Sequence, residues 1–111
     1  MMKAMVYAAL TSAVLSTGAV AGGDPAAGKE KSQVCAGCHG ADGNSTVGAN
    51  PRLAGQYESY LYQALKQYKK GDRKDLLMGN MVANLSDQDM RDLAAWFASQ
   101  DGNTLQVLPE D

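Results

Sequence analysis

Apolar residues fall at Tyr57, Leu61, Ala64, Leu65 and Tyr68, the spacing of one face of an α-helix. This predicts a helix from about Gln56 to Lys70, with Gly71 as the residue that ends it. A second stripe, Met90, Leu93, Ala94 and Phe97, predicts another helix that runs to Ser99 or Gln100 and is stopped by Gly102. Its start is sharply marked. Ser86 as N-cap and Asp89 three residues on form a variant capping box, and Leu85 and Met90 stand at the positions of a hydrophobic staple. Nearer the N-terminus the pattern is more polar, but Asp24 followed by Pro25 is a strong helix-start signal, and the good helix formers after it carry the helix into Cys35. Gly28 inside that helix costs about 1 kcal/mol relative to alanine, which points to close approach of another helix.

The segments between are turn-rich. Gly40 to Asn50 reads as a loop, ending at Asn50-Pro51, where the backbone leans to an extended conformation. Asp72 to Leu85 reads as irregular, with Met78-Gly79-Asn80-Met81 at its middle. No segment reads as a strand. The pattern therefore predicts an all-α fold of three or more helices.

The first residues have a different character. Lys3 precedes an apolar stretch from Ala4 to Leu15, and a run of small residues follows through Gly23. This is the layout of an export signal, with Ala19-Val20-Ala21 as the cleavage site and the cut after Ala21. The stretch is too short and too rich in Ala, Ser and Thr for a stable membrane span, which needs about 20 strongly apolar residues. Residues 22–111 then form one small domain with a loosely held tail from about residue 103. The full chain carries 10 basic and 12 acidic residues, and removing Lys3 makes the balance more acidic still. Such a balance argues against a nucleic-acid partner. Lys66, Lys69, Lys70, Arg73 and Lys74 are a local basic cluster, either a surface that steers docking or a solvated helix end diluted by Asp72 and Asp75.

The chemistry is concentrated in Cys35-Ala36-Gly37-Cys38-His39. C-x-x-C-H is the attachment pattern for c-type haem. Cysteines three apart on a helix share a side, about one turn apart, as two thioether bonds to one macrocycle require. His39 follows as the residue that ligates the iron. The chain has 2 cysteines and 1 histidine, all within this pentapeptide, too few for a structural zinc site of four ligands. A thioredoxin-like motif would need a strand before it, and a disulfide here would close too short a loop to stabilise much. A haem would also supply apolar core that a chain this small lacks.

Iron held by His39 on one side can be open or closed on the other. An open site binds small ligands, whereas a methionine thioether closes it and favours electron transfer. Met90 belongs to the apolar stripe of the last helix. Met78 and Met81, in the glycine-containing segment before it, are the candidate ligands.

These pieces together resemble a known family. Val34 to Gly40, Asp42-Gly43-Asn44, Pro51 to Gln56, Leu85 to Asp89 and Leu93 to Phe97 match, in order and spacing, class I bacterial cytochromes c. They are most similar to one half of the dihaem cytochromes c of the "c-four" type. The resemblance implies a small cytochrome c fold, a helical shell around one haem with the N- and C-terminal helices crossing at Gly28, near Trp96 or Phe97. It implies Met78 rather than Met81 as the axial ligand. It implies that the Pro51 carbonyl orients the His39 ring and that Arg52 reaches a haem propionate. There is one C-x-x-C-H here where the dihaem proteins have two, so a single haem c is expected, in a monomer or a homodimer.

The function so implied is that of a soluble periplasmic electron-transfer protein serving redox protein partners, not an enzyme. A haem subunit of a larger redox complex, or a small-ligand sensor with a labile methionine, are the alternatives. A peroxidase is disfavoured because no second histidine exists for distal acid–base work.

Overall fold

Helix α1, Pro25–Lys31, crosses α5, Asp87–Ala98, and this crossing organises a computed structural model that describes residues 3–5 and 22–102. The export signal, its cleavage site and the tail from residue 103 lie outside or at the edge of the described residues. Between the crossing helices run α2, Gln33–His39, α3, Glu58–Lys70, and α4, Leu76–Val82. Helix α3 packs on α5, and α4 packs on α3. No strand occurs among the described residues, so the architecture is all-α, as the hydrophobic pattern predicts.

The crossing is tight because of Gly28. A Cβ at that position would stand 1.9 Å from the Asp92 carbonyl oxygen and 2.8 Å from the Trp96 Cβ. Only a residue without a side chain lets the two backbones approach so closely. Beside this contact lies a polar knot. Asp92 is buried, and its carboxylate accepts from the Asp24 N–H at 2.8 Å, from Lys31 Nζ at 2.5 Å and from Gln88 Nε2 at 2.8 Å. Lys31 Nζ also reaches Asp89 at 2.9 Å. Burial pushes the Asp92 carboxyl up, but Lys31, the Asp24 N–H and Gln88 together outweigh it and leave it below the usual range.

Lys31, with help from the Ser86 N–H, holds Asp89 down at about 2. An unfolded aspartate titrates near 3.9. The stability from this pair is therefore present above about pH 4 and is lost as pH falls through about 2. Both side chains are about a third exposed, so solvent screening leaves a contribution of about 1 kcal/mol. Lys31→Met is expected to show a shallower loss of stability between pH 5 and pH 2 than the wild type in acid-dependent urea melts.

The core is small. Leu61, Leu93, Ala94 and Phe97 form its centre, and Leu53, Leu65, Leu85, Trp96 and Cys35 pack against it. The capping box at Ser86 is present in full, with Ser86 Oγ accepting from the Asp89 N–H and Asp89 accepting from the Ser86 N–H. Gly71 ends α3 in the left-handed conformation, φ 82°.

Three expectations need correction. The N-terminal helix is not continuous. It breaks at Ser32, whose hydroxyl donates to the Lys29 carbonyl at 2.7 Å and so competes with the helical ladder. Tyr57 is not on the buried face of α3 but exposed at its N-cap, because the helix begins at Glu58 rather than Gln56. The segment from Asp72 to Leu85 is not irregular. Leu76 to Val82 forms α4, capped by Asp75, whose carboxylate accepts from the Met78 N–H at 3.0 Å. Gly79 disguised a run of good helix formers behind an ordinary N-cap, and the buried Val82 anchors it.

The basic cluster is largely drawn onto the protein. Lys66 lies over the Tyr62 ring at 4.8 Å, Lys69 Nζ donates to the Leu85 carbonyl, and Arg73 stacks near Tyr60 and Tyr68. Three of its five cations thus brace α3, which favours the helix-end reading over a docking surface.

Candidate haem-binding site

Helix α2 carries the whole attachment pattern. Cys35 and Cys38 sit three residues apart on it, Cys35 half-buried against the core and Cys38 exposed. Burial pushes the Cys35 thiol up, and the neighbouring Cys38 adds to the effect. His39 is the last residue of the helix and is buried. Gly40, at φ 84°, turns the chain away immediately afterwards.

The following loop comes back to hold the histidine. The His39 ring nitrogen Nδ1 lies 2.8 Å from the Pro51 carbonyl oxygen. A carbonyl can only accept, so Nδ1 carries the proton and Nε2 keeps its lone pair. A histidine that ligates a metal ordinarily has this arrangement, with one nitrogen fixed by a hydrogen bond and the other available. Pro51 is positioned by the loop's own bonds. The Gly43 carbonyl accepts from the Leu53 N–H at 2.8 Å and the Ala54 N–H at 3.2 Å. The Gly55 N–H donates to the Phe97 carbonyl at 3.0 Å, tying the loop to the end of α5. Ser45 is buried, and its carbonyl accepts from Arg52 Nε at 3.3 Å. Arg52 therefore braces this loop.

Met78 and Met81 both lie on α4, one turn apart, rather than in a loop. They differ in burial: Met78 is half-buried, and Met81 is 50% exposed. Met90 is buried in α5, as its place in the apolar stripe predicts. Helix α4 also presents Leu76 and Leu77 at 82% and 75% exposure. Two thiols one turn apart on one helix and a buried imidazole with its Nε2 left available fit the covalent attachment and ligation of a haem. The sequence reading missed α4 and the Asp92 knot. Asp75 as N-cap signals the first. A carboxylate beside the apolar stripe, four residues after Gln88, signals the second.

A small all-α shell with this attachment helix defines a c-type cytochrome. Residues 25–101 match the family model for cytochrome c. The chain belongs to the cytochrome c family, whose members bind haem c covalently through such a cysteine pair and carry electrons. It is 54% identical over 80 residues to cytochrome c4 of Pseudomonas aeruginosa, covering 72% of this chain and 40% of that one. It is 43% identical over 82 residues to cytochrome c-554(548) of Halomonas halodenitrificans, covering 71% of this chain and 99% of that one. The crystal structure of reduced recombinant cytochrome c4 from Pseudomonas stutzeri superposes with a TM-score of 0.70 at 47% identity, over 73% of this chain and 47% of that chain. The chain thus spans about half the length of the cytochrome c4 proteins it matches. These likenesses agree with a single-haem half of such a protein.

Proposed function

We propose that this protein is a soluble periplasmic electron carrier with one c-type haem, held by Cys35 and Cys38 and ligated through His39 and Met78. The observation that carries the reading is the 2.8 Å bond from His39 Nδ1–H to the Pro51 carbonyl, which fixes the ring and leaves Nε2 for iron. Bound there, the haem supplies a ferric/ferrous couple. The protein's part is to hold both axial groups, keep water away and set the potential. Met78 is favoured over Met81 because it is the more buried of two thioethers on one face of α4. A soft thioether favours the ferrous state and raises the potential. Arg52, whose Nε holds the Ser45 carbonyl, is the residue we assign to a propionate, on the strength of the family resemblance. Export follows from the N-terminal signal, and no helix among the described residues is long and apolar enough to cross a membrane. The partners are redox proteins that meet the exposed haem edge through small, transient contacts.

A closed site has a direct test. The reduced protein is exposed to carbon monoxide at neutral pH and its visible spectrum followed. An electron carrier with a firm thioether keeps its spectrum. Rapid conversion to a carbonyl adduct would instead indicate an open or labile sixth position and a ligand-sensing role.

A further inference from the structure

The residues just after the expected cleavage site are built into the fold. Gly23 is buried against α5, where a Cβ would stand 2.0 Å from the Arg91 carbonyl oxygen. The next N–H, of Asp24, donates to buried Asp92 at 2.8 Å. These contacts fix the register of the chain as it enters α1. Gly22 is thereby placed against Glu58 in the first turn of α3. A Cβ on Gly22 would lie 2.4 Å from Glu58 Oε1, and the same oxygen accepts from the Gly23 N–H at 3.2 Å. The Gly22 nitrogen is one bond from that Cα, so it lies within about 5 Å of the carboxylate.

The other charges nearby are committed. The Asp24 carboxylate caps α1, Asp92 holds Lys31, and Arg91 holds Asp87. Glu58 takes part in none of the ion pairs among the described residues. Gly22, Gly23, Glu58, Ala95 and Ser99 line an open cleft, so a new group on Gly22 can turn toward the carboxylate and remain reachable by water.

We propose that Glu58 is the receptor for the mature N-terminus, forming an ion pair with the Gly22 α-ammonium that exists only after the leader is removed. The inference rests on the export reading above. The step is hydrolysis of the Ala21–Gly22 peptide bond by a leader peptidase. Water is consumed, the carboxylate leaves with Ala21, and the new amine on Gly22 takes up a proton. Before the cut Gly22 offers Glu58 a neutral amide; afterwards it offers a positive charge. Processing thus adds a tie between the entry to α1 and the start of α3.

The test uses the exported, haem-loaded protein in its diamagnetic ferrous form. Intact mass gives the N-terminus, and the Gly22 Cα chemical shift followed against pH gives the amine's titration midpoint. The comparison is with Glu58→Gln, whose amide oxygen can still accept from Gly23 but carries no charge. The wild-type midpoint is expected to lie about half a pH unit or more above that of the variant, as an opposite charge nearby requires. Equal midpoints in a chain starting at Gly22 overturn this inference alone. A chain that keeps its leader overturns the export reading with it. A chain that starts at any other residue overturns the role of Glu58.

Discussion

Replacing Cys35 and Cys38 together with alanine is expected to abolish covalent haem and to cost the protein most of its stability. Two thioether bonds on one helix are the only permanent links available, since the sequence holds 2 cysteines in all. His39 could still bind iron, but that bond exchanges with solvent and competing ligands. The loss reaches the fold because the protein's own core is slight. Leu61, Val82, Met90, Leu93, Ala94, Ala95 and Phe97 are its buried apolar side chains among the described residues. Meanwhile Leu76, Leu77 and Met81 stand uncovered by protein. A domain of this size buries a smaller fraction of its surface than a larger one does and is marginal without a further source of apolar burial. The expected loss is about 5 kcal/mol or more, comparable with the whole stability of a small domain. Acid–acetone extraction followed by a pyridine haemochrome spectrum reads the covalent link, and a thermal melt reads the fold. Single Cys→Ala variants should each retain one thioether. A double variant that still carries unextractable haem would contradict the account.

Gly28→Ala is expected to be the most damaging single substitution in the helical shell. Two effects oppose each other. Alanine improves helix propensity by about 1 kcal/mol. The added methyl, however, would stand 1.9 Å from the Asp92 carbonyl oxygen and 2.6 Å from its carbon. Those are backbone atoms of α5, which cannot rotate away as a side-chain tip would. Helix α1 must move, and with it the Asp24 N–H and Lys31 ammonium that satisfy buried Asp92. Overpacking of about 1–3 kcal/mol is joined by the partial loss of donors to the buried Asp92 carboxylate, which costs a similar amount. The net loss is about 1–5 kcal/mol, read as a shift of the urea midpoint of the haem-loaded protein. Equal or greater stability for Gly28→Ala would show that the crossing has slack.

Most of the frame is legible in the chain because the signals are local. Asp24-Pro25, Ser86 to Asp89, Gly71 and the stripe Met90, Leu93, Ala94, Phe97 each act through neighbours within a turn or two, and each stands where the pattern places it. Gly28 is the exception that was readable without being local. A glycine in a helix is costly enough to need a reason, and the reason is Trp96 and the Asp92 backbone. The attachment site is equally legible, since Cys35, Cys38 and His39 share one short helix.

What the sequence hides is what depends on competition or distance. Helix α4 is short and holds Gly79, so propensity alone does not lift it above a turn. Ser32 breaks the first helix through its own hydroxyl, a choice between two hydrogen bonds that periodicity does not register. Asp92 reads as one more surface acid until three donors from α1, its N-cap and α5 converge on it. The His39–Pro51 bond spans a loop whose closure depends on Gly43 and Phe97, so in the chain alone only the family resemblance implies it, not the spacing.

The central claim is that a thioether from α4 completes the iron site opposite His39. The most direct measurement is the optical spectrum of the oxidised protein, recorded for the wild type, Met78→Ala and Met81→Ala. The wild type should be six-coordinate and low-spin, with a weak sulfur-to-iron charge-transfer band in the far red. Met78→Ala should lose that band and become high-spin or take up added ligands, while Met81→Ala keeps it. A band that survives in Met78→Ala, or a wild type that never shows one, would contradict the account.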